Sequence, residues 1–331
     1  HELIEVKQGP HGQLNPASLV RHDTGAYGVQ NPQGMAVDPA DGALFILDSA
    51  VPGLVRVEPT PGGALREAKV TSVSLQAVGP DDLRGLAFDP TTDHLHLLSP
   101  SEGRLYEVTK EGEMVASRTL LPSDCGLRNP QGMVFAPSGD LTDDPARMSL
   151  YVTNTCLAGQ DVRESGQNST GSPTDGSEDS FGTTLFLPLI TDGSGSENEI
   201  PASALNAAAQ GSGQILELTL VAPSAHLVQA ASTSTAVLIQ TIDTSQLDPP
   251  SPDSAGITYL PLSGRLLMSD SEVNEMPIYE DANLIELGLT GTLHYTSTTL
   301  SFVTNLENRE PTGVAIMPDP DPTKERLFVS D

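Results

Sequence analysis

The sequence of 331 residues contains no tryptophan, only two cysteines, and far fewer basic than acidic side chains. Two cysteines cannot make a disulfide-rich scaffold, and no CxxC pair or cysteine–histidine cluster indicates zinc. No apolar run approaches the roughly 18 residues of a membrane-spanning helix, so we expect no membrane span. Sixteen Lys and Arg against 44 Asp and Glu give a net charge of −28, which repels phosphate backbones and argues against nucleic acid as a partner.

The residues that are present suffice for a folded core. Hydrophobic residues make up 37% of the chain, and with 30 glycines this is an ordinary globular composition. The chain begins at His1 without an apolar leader, so we expect any signal peptide to precede this segment. High acidity, few lysines and 27 prolines favour a secreted or cell-surface protein, with the periplasm included.

A unit made of a glycine, a short apolar strand and usually a proline occurs five times. Each unit continues with a second apolar strand that has a polar end, and most continue with a third strand of the pattern Leu-x-Glu-Val and a variable fourth. Four short strands separated by Gly, Pro and Asp turns indicate an antiparallel meander, and meanders repeated around an axis are the blades of a β-propeller. The repeat glycines are Gly34, Gly85, Gly132, Gly256 and Gly313.

The spacing of these glycines predicts how the ring closes. Successive glycines are 51, 47, 124 and 57 residues apart. Only a second strand follows Gly313, whereas the chain begins with HELIEV, which has the pattern of a third strand. Counting from Gly313 through the end of the chain and on from residue 1 to Gly34 gives 52 residues, one ordinary repeat. We therefore predict one blade with two strands from each terminus, which removes the open edges of the ring.

The long interval contains residues 157–212, which are acidic, rich in Ser and Gly, and lack four apolar strands. We interpret them as an insertion within one blade of a single domain that covers residues 1–331. This interpretation predicts five blades; six would need a degenerate blade inside the insertion. Cys125 precedes the first strand of that blade and Cys156 follows the second, so a disulfide at the base of the insertion is geometrically plausible, with free buried thiols as the alternative.

Segments such as NPQGMAVDP and DLRGLAFDP, each followed by a strand like ALFILDS, resemble NHL-repeat propellers and the senescence-marker/gluconolactonase-like group. Residues 269–287, with EPTGVA and LFVSD after them, resemble bacterial secreted propeller modules found in larger extracellular proteins. The resemblance covers the chain except residues 157–212. It implies the fold but leaves the activity open, because propellers serve hydrolases, lyases, lectins and protein docking alike.

The polar ends of the second strands form the first candidate site. In propellers these ends lie on the face where the central funnel opens, so their oxygens would surround one axis in a manner suited to Ca²⁺ or Mg²⁺. The polar residues at these ends are Asp48, Ser99, Asn154, Asp270 and Asp331, and the predicted ligands among them are Asp48, Asn154, Asp270 and Asp331. Gluconolactonase-like proteins hold a divalent cation through Glu, Asn and Asp, so the resemblance implies Asn154 and Asp270 as ligands. The alternative is that each side chain caps its own turn.

Three further side chains are candidates near this face. Glu272 and Glu275 follow Asp270 in an acidic stretch, which is either a second calcium site or a solvated loop. Arg84 directly precedes a repeat glycine, where it would pair with a substrate carboxylate or with Asp48.

Two patterns inside the strands have structural and functional interpretations. His94 and His96 alternate along one strand and share a face, which favours either a metal site or an exposed strand surface. An acidic residue recurs in the third strands, and we interpret it as a structural group that bonds across blade boundaries. These residues are Glu5, Glu107, Glu217 and Glu286.

Two functions follow as hypotheses. The first is an extracellular binding or scaffolding module, stabilised by calcium, with a protein or carbohydrate ligand on the propeller face and a place in a larger extracellular protein or assembly. The second is a divalent-metal-dependent hydrolase, such as a lactonase, with the metal in the funnel. No G-x-S-x-G motif indicates a serine nucleophile.

Overall fold

Almost all of the regular structure in this chain is β-strand. The computed structural model describes residues 2–8, 14–80, 82–120, 127, 129–144, 146–156, 212–220, 234–271, 282–297 and 311–330. Short 3-10 turns occur at Pro16–Ser18, Thr24–Tyr27 and Thr244–Gln246. The strands of the described residues are β1 (Glu2–Lys7), β2 (Val20–Asp23), β3 (Pro32–Val37), β4 (Leu44–Asp48), β5 (Gly53–Glu58), β6 (Lys69–Ser74), β7 (Arg84–Asp89), β8 (His94–Ser99), β9 (Arg104–Val108), β10 (Met114–Leu120), β11 (Pro130–Pro137), β12 (Met148–Cys156), β13 (Ser212–Leu220), β14 (Ser234–Asp243), β15 (Ser254–Leu260), β16 (Arg265–Asp270), β17 (Leu284–Leu287), β18 (Leu293–Ser297), β19 (Gly313–Pro318) and β20 (Glu325–Ser330).

These strands pair as antiparallel sets of four. Two sets are separate sheets, β3 to β6 and β15 to β18, each in chain order. The sets β7 to β10 and β11 to β14 join into one eight-stranded sheet, because β10 pairs in parallel with β14. Burial decreases from the second strand to the fourth: all of β4 is buried, whereas most of β6 is exposed. This gradient explains why the second strands are continuous apolar runs and the fourth strands vary.

The predicted blade with strands from both termini is confirmed. Its sheet has the order β19-β20-β1-β2. Leu3 of β1 is paired with Ser330 on one side and with His22 on the other. The first and last segments of the chain therefore lie side by side within one sheet.

The repeat glycines allow the first strands to approach one another closely. A Cβ on Gly34 would lie 2.8 Å from the backbone nitrogen of Leu86, and one on Gly132 would lie 2.6 Å from the carbonyl oxygen of Ala255. Only glycine fits at such distances. Each first strand contacts the next, from β3 through β7, β11, β15 and β19 back to β3. The all-β, propeller-like prediction is thus confirmed.

The hydrophobic core lies between neighbouring sheets. One cluster joins Leu3 and Phe328 of the terminal sheet to Leu44 of the next sheet, and comparable clusters fill the other boundaries. The described residues belong to one compact unit, in which no helix is long and apolar enough to cross a membrane. The predicted insertion lies outside the described residues, except that Ser212 is the first residue of β13.

Candidate functional site: the central channel

The carboxylate of Asp48, the first predicted metal ligand, is occupied by backbone N–H groups of its own sheet. Its Oδ2 accepts a hydrogen bond from the backbone nitrogen of Gln30 at 2.9 Å, and its Oδ1 accepts from those of Asn31 and Ala50, both at 3.0 Å. The residue is buried. Asp48 therefore ties the end of the second strand to the loop that leads into the first strand, as the capping alternative proposes.

The corresponding residues of two other sheets make the same kind of bond. Asn154 Oδ1 accepts from the backbone nitrogen of Asn129 at 3.2 Å. Asp270 Oδ2 accepts from Ser251 Oγ at 2.6 Å and from the backbone nitrogen of Asp253 at 3.2 Å. Asn154 and Asp270 are fully buried. Each side chain thus binds the loop before the first strand of its own sheet.

The set β7 to β10 has the same connection, but here the loop before the first strand supplies the carboxylate and the end of the second strand supplies the hydroxyl. Here the second strand ends in Ser99, whose Oγ donates to Oδ1 of Asp82 at 2.7 Å, and Asp82 lies in the loop before the first strand. The backbone nitrogen of Ser101 donates to Oδ2 of Asp82 at 2.7 Å. Burial opposes ionisation of Asp82, but the bonds from Ser99 and Ser101 outweigh it and hold the pKa of Asp82 below its usual value.

Replacing Asp48 with alanine tests this capping role. The three backbone N–H groups lose their acceptor, and we expect the free energy of unfolding to fall by about 2 kcal/mol. Chemical denaturation of Asp48→Ala and of a control at exposed Glu111, Glu111→Ala, measures the difference. A loss no greater than that of the control contradicts the capping role.

Each described member of the predicted metal set is hydrogen-bonded within its own blade. Within the described ranges, no group of three or more His, Cys, Asp and Glu residues is arranged to hold a metal. The fourth predicted ligand, Asp331, lies outside the described residues, and so do Glu272 and Glu275. The four-residue site therefore stays a prediction.

Two other candidates from the sequence are Arg84 and the disulfide between Cys125 and Cys156. Arg84 Nη1 donates to Oδ1 of Asn129 at 2.9 Å, which links two neighbouring first strands, and it does not pair with Asp48. The disulfide cannot be assessed, because Cys125 and the side chain of Cys156 lie outside the described residues.

Among the described residues, the end of the channel on this face is lined by neutral polar groups, which we call the channel mouth. It encloses about 170 Å³, and the repeat glycines Gly34 and Gly313 lie at its base. Three of these groups, Gln33, Gln131 and Thr312, directly precede a repeat glycine, a position that the sequence analysis considered only at Arg84. The polar residues of the channel mouth are Asn31, Gln33, Gln131, Thr312 and Ser330.

A second cavity, larger than the channel mouth, lies at the other end of the first strands. It encloses about 480 Å³, and we call it the apolar chamber. Its lining continues from the first strands to the turns that follow them, including Pro39, Pro90 and Pro261. Between the chamber and the mouth, the space beside the repeat glycines narrows to about 10 Å³. The glycines that let the strands approach also constrict the channel.

The third-strand glutamates bond within their own sheets, so the prediction that they bond across blade boundaries is wrong for Glu5. Its Oε2 contacts His22 Nε2 at 3.0 Å, and its Oε1 accepts from Arg326 Nη1 at 3.3 Å. Burial opposes ionisation of Glu5, but these two partners hold its pKa below the usual value. Arg326 makes the contact to the next sheet, because it also donates to the carbonyl oxygen of Gly63.

His94 and His96 do not form an exposed strand surface, which is one of the two alternatives that the sequence left open. His94 Nδ1 lies 2.7 Å from Oε1 of Glu107, which also accepts from Arg118. His96 is 1% exposed, and its ring packs edge-to-face on Phe135 of the next first strand with the centroids 4.9 Å apart. The two side chains share a face of β8, but that face is an interface between blades.

The sheets, the glycine-lined channel and the closing terminal blade define a β-propeller type of protein. Residues 8–141 match the model of a family described as SdiA-regulated. No curated protein sequence matches the chain.

Solved structures similar to the chain include three propellers. A nidogen/laminin complex is 15% identical with a TM-score of 0.43, over 96% of this chain and 85% of that one. A gluconolactonase from Xanthomonas campestris is 12% identical with a TM-score of 0.39, over 87% and 67%. Regucalcin, a calcium-binding protein from Agrobacterium tumefaciens, is 13% identical with a TM-score of 0.38, over 87% and 64%.

Proposed function

We propose that the chain is a five-bladed propeller that acts as a binding module and has no hydrolase activity. Support for five blades comes from the cycle of contacts among the five first strands of the described residues. Support for a binding role comes mainly from one observation: the side chains expected to hold a catalytic cation are bonded within their own sheets. The channel mouth instead presents amide and hydroxyl groups, which can hydrogen-bond to a partner but cannot serve as general bases at neutral pH.

The charge of the chain indicates the class of partner. With a net charge of −28, the chain attracts cationic surfaces and repels anionic ones. We propose a basic protein segment that is drawn to the acidic surface and hydrogen-bonds to the channel mouth. The same composition supports a location outside the cell, as a secreted or surface-associated module of a larger protein or assembly.

Cation content and turnover together test the absence of hydrolase activity. We expect the purified protein to contain no stoichiometric divalent cation by elemental analysis and to hydrolyse no lactone in either Ca²⁺ or Mg²⁺. The melting temperature is expected to be the same in Ca²⁺ and in chelator. One bound cation per chain, lost together with lactone hydrolysis in Asp270→Ala, would establish the hydrolase instead. A cation that changes the melting temperature alone would support a calcium-stabilised module without catalysis.

The partner class is tested with a displayed peptide library and a glycan array, since the ligand is unidentified. We expect enriched peptides to be rich in Lys and Arg, and to lose binding when Gln33 and Gln131 are both replaced by alanine. Selective binding to neutral glycans, with no peptide enriched, would identify a lectin instead.

A further inference from the structure

The apolar chamber is lined by the second and third positions after all five repeat glycines and by the first position after four of them. The first position after the repeat glycine contributes Met35, Leu86, Met133 and Ile257. The third position contributes Val37, Phe88, Phe135, Tyr259 and Ile316. The second position holds the smaller side chains that leave the space open: Ala36, Ala87, Val134, Thr258 and Ala315. Because all five repeats follow one size pattern, the chamber is a feature of the repeat and not a packing defect of one blade.

The size and lining of the chamber suit a small molecule. Its volume of about 480 Å³ is within the range of ligand pockets in proteins, roughly 300–1,000 Å³. Met35, Met133 and Met148 supply flexible, polarisable walls that adapt to the shape of an apolar ligand. The small pocket beside the repeat glycines has room for about one water molecule, so we expect a ligand to enter the chamber from the turn face.

Of the three charged side chains in the described lining, Lys324 and Asp319 lie beside opposite charges, whereas Glu325 accepts only from neutral donors. Glu325 accepts from the backbone nitrogen of Leu262 at 2.9 Å and from Gln8 at 3.2 Å. Lys324 pairs with Asp321 at 2.8 Å. Asp319 lies 3.6 Å from Arg326 Nε. The one basic side chain among the described lining residues, Lys324, is thus already paired and is not left to neutralise an anion, which the net charge of −28 also disfavours.

We propose that the apolar chamber binds a neutral, largely apolar small molecule that enters from the face formed by the turns between first and second strands. The proposal goes beyond the binding of a protein partner, because it concerns the opposite end of the channel. It depends on two observations, the repeated small residue at the second position and the pairing of Lys324, the one basic side chain in the described lining.

Two dyes with the same skeleton test the proposal directly. N-phenylnaphthylamine is neutral and apolar, and anilinonaphthalene sulfonate adds one negative charge to that skeleton. We expect the neutral dye to bind saturably at one site per chain, and the sulfonate to bind about tenfold more weakly or less. Binding to the native state should also raise the melting temperature as the neutral dye concentration increases.

Substitutions that fill the chamber test whether the dye binds there, and a similar substitution outside the chamber is the control. Val134 and Ile316 are partly exposed within the lining, so Val134→Phe and Ile316→Phe place a larger side chain in open space. Each should weaken binding of the neutral dye by about tenfold or more. Val70→Phe makes a similar change on the exposed strand β6 and should leave binding unchanged. Replacing both Gln33 and Gln131 with alanine should also leave dye binding unchanged, which separates this site from the channel mouth.

Several outcomes would overturn the proposal. These are no saturable binding of the neutral dye to the unmodified protein, unchanged binding in a folded filling variant, or equal binding of the two dyes. Circular dichroism establishes that each variant is folded. If neither filling variant folds, the dye-dependent melting temperature of the unmodified protein decides, and no increase counts against the chamber.

Discussion

Deleting residues 1–7 abolishes folding of the propeller, because it removes the strand that joins the two ends of the ring. β1 pairs with β20 on one edge and with β2 on the other. Leu3 and Val6 are fully buried, and Ile4 is nearly so. Each such side chain contributes about 1.5–3 kcal/mol when buried, and a typical domain has only about 5–15 kcal/mol of net stability. We expect circular dichroism and denaturant titration of the deletion variant to show no cooperative unfolding.

A circular permutant separates the role of the strand from that of the chain ends. Because Leu3 and Ser330 are paired, residue 331 can be joined directly to residue 1 as a short hairpin, with new ends at Leu141, which is 92% exposed. We expect this permutant to unfold cooperatively at or above the melting temperature of the parent. Leu3→Asp should unfold the protein, whereas Val20→Asp on the exposed partner strand should not. A stable deletion variant, or equal effects of the two substitutions, would contradict the closure by β1.

His96 makes the propeller less stable as the pH falls below neutrality. Burial lowers the pKa of His96 from 6.5 to about 4. The negative charges of Glu107 and Asp89 oppose this shift, whereas the charges of Arg118 and His94 add to it. Neither ring nitrogen has a hydrogen-bond partner among the described residues. Between these two pH values the unfolded chain binds a proton that the folded chain does not. Stability therefore decreases as the pH is lowered from 6.5 to 4, by about 3 kcal/mol.

The variant His96→Leu should remove most of this dependence. Denaturant unfolding at a series of pH values should give a nearly flat profile down to about pH 4.5, where the acidic groups with lowered pKa values begin to lose their native partners. For Glu5 and Glu107 that loss is expected only as the pH falls below their usual pKa of 4.5. His294→Leu, at an exposed histidine, should keep the profile of the parent. An unchanged slope in His96→Leu contradicts the assignment to His96.

The closing blade could be predicted from the sequence because covalent order and repeat spacing are both visible in it. Gly313 is followed by only one further strand, and the pattern of residues 2–6 matches the third strands. The last repeat therefore lacks its third and fourth strands, and the first segment of the chain can supply them. The observed pairing of β1 with β20 closes the ring in this way. The positions of the repeat glycines were equally legible, since close approach of backbones requires a residue without Cβ.

The roles of the polar residues could not be predicted, because the same residue types cap turns and bind metals. Asp48 is compatible with either role in the sequence, and only its three backbone N–H partners show that it caps a loop. His96 likewise alternates with His94 as on a surface strand, but the neighbouring blade covers it with Phe135. Contacts between blades join residues distant in sequence, and no local pattern records them.

The sequence by itself determined the class of fold, the meander of each blade, the order of strands across the termini and the acidic character of the molecule. The tertiary structure decided which end of the channel is spacious. Small second-position residues and converging glycines have meaning only when all five repeats are placed around one axis, since the volume left between them depends on every neighbour. Strand patterns report which residues are buried, whereas a cavity is defined by the side chains that together fail to fill it.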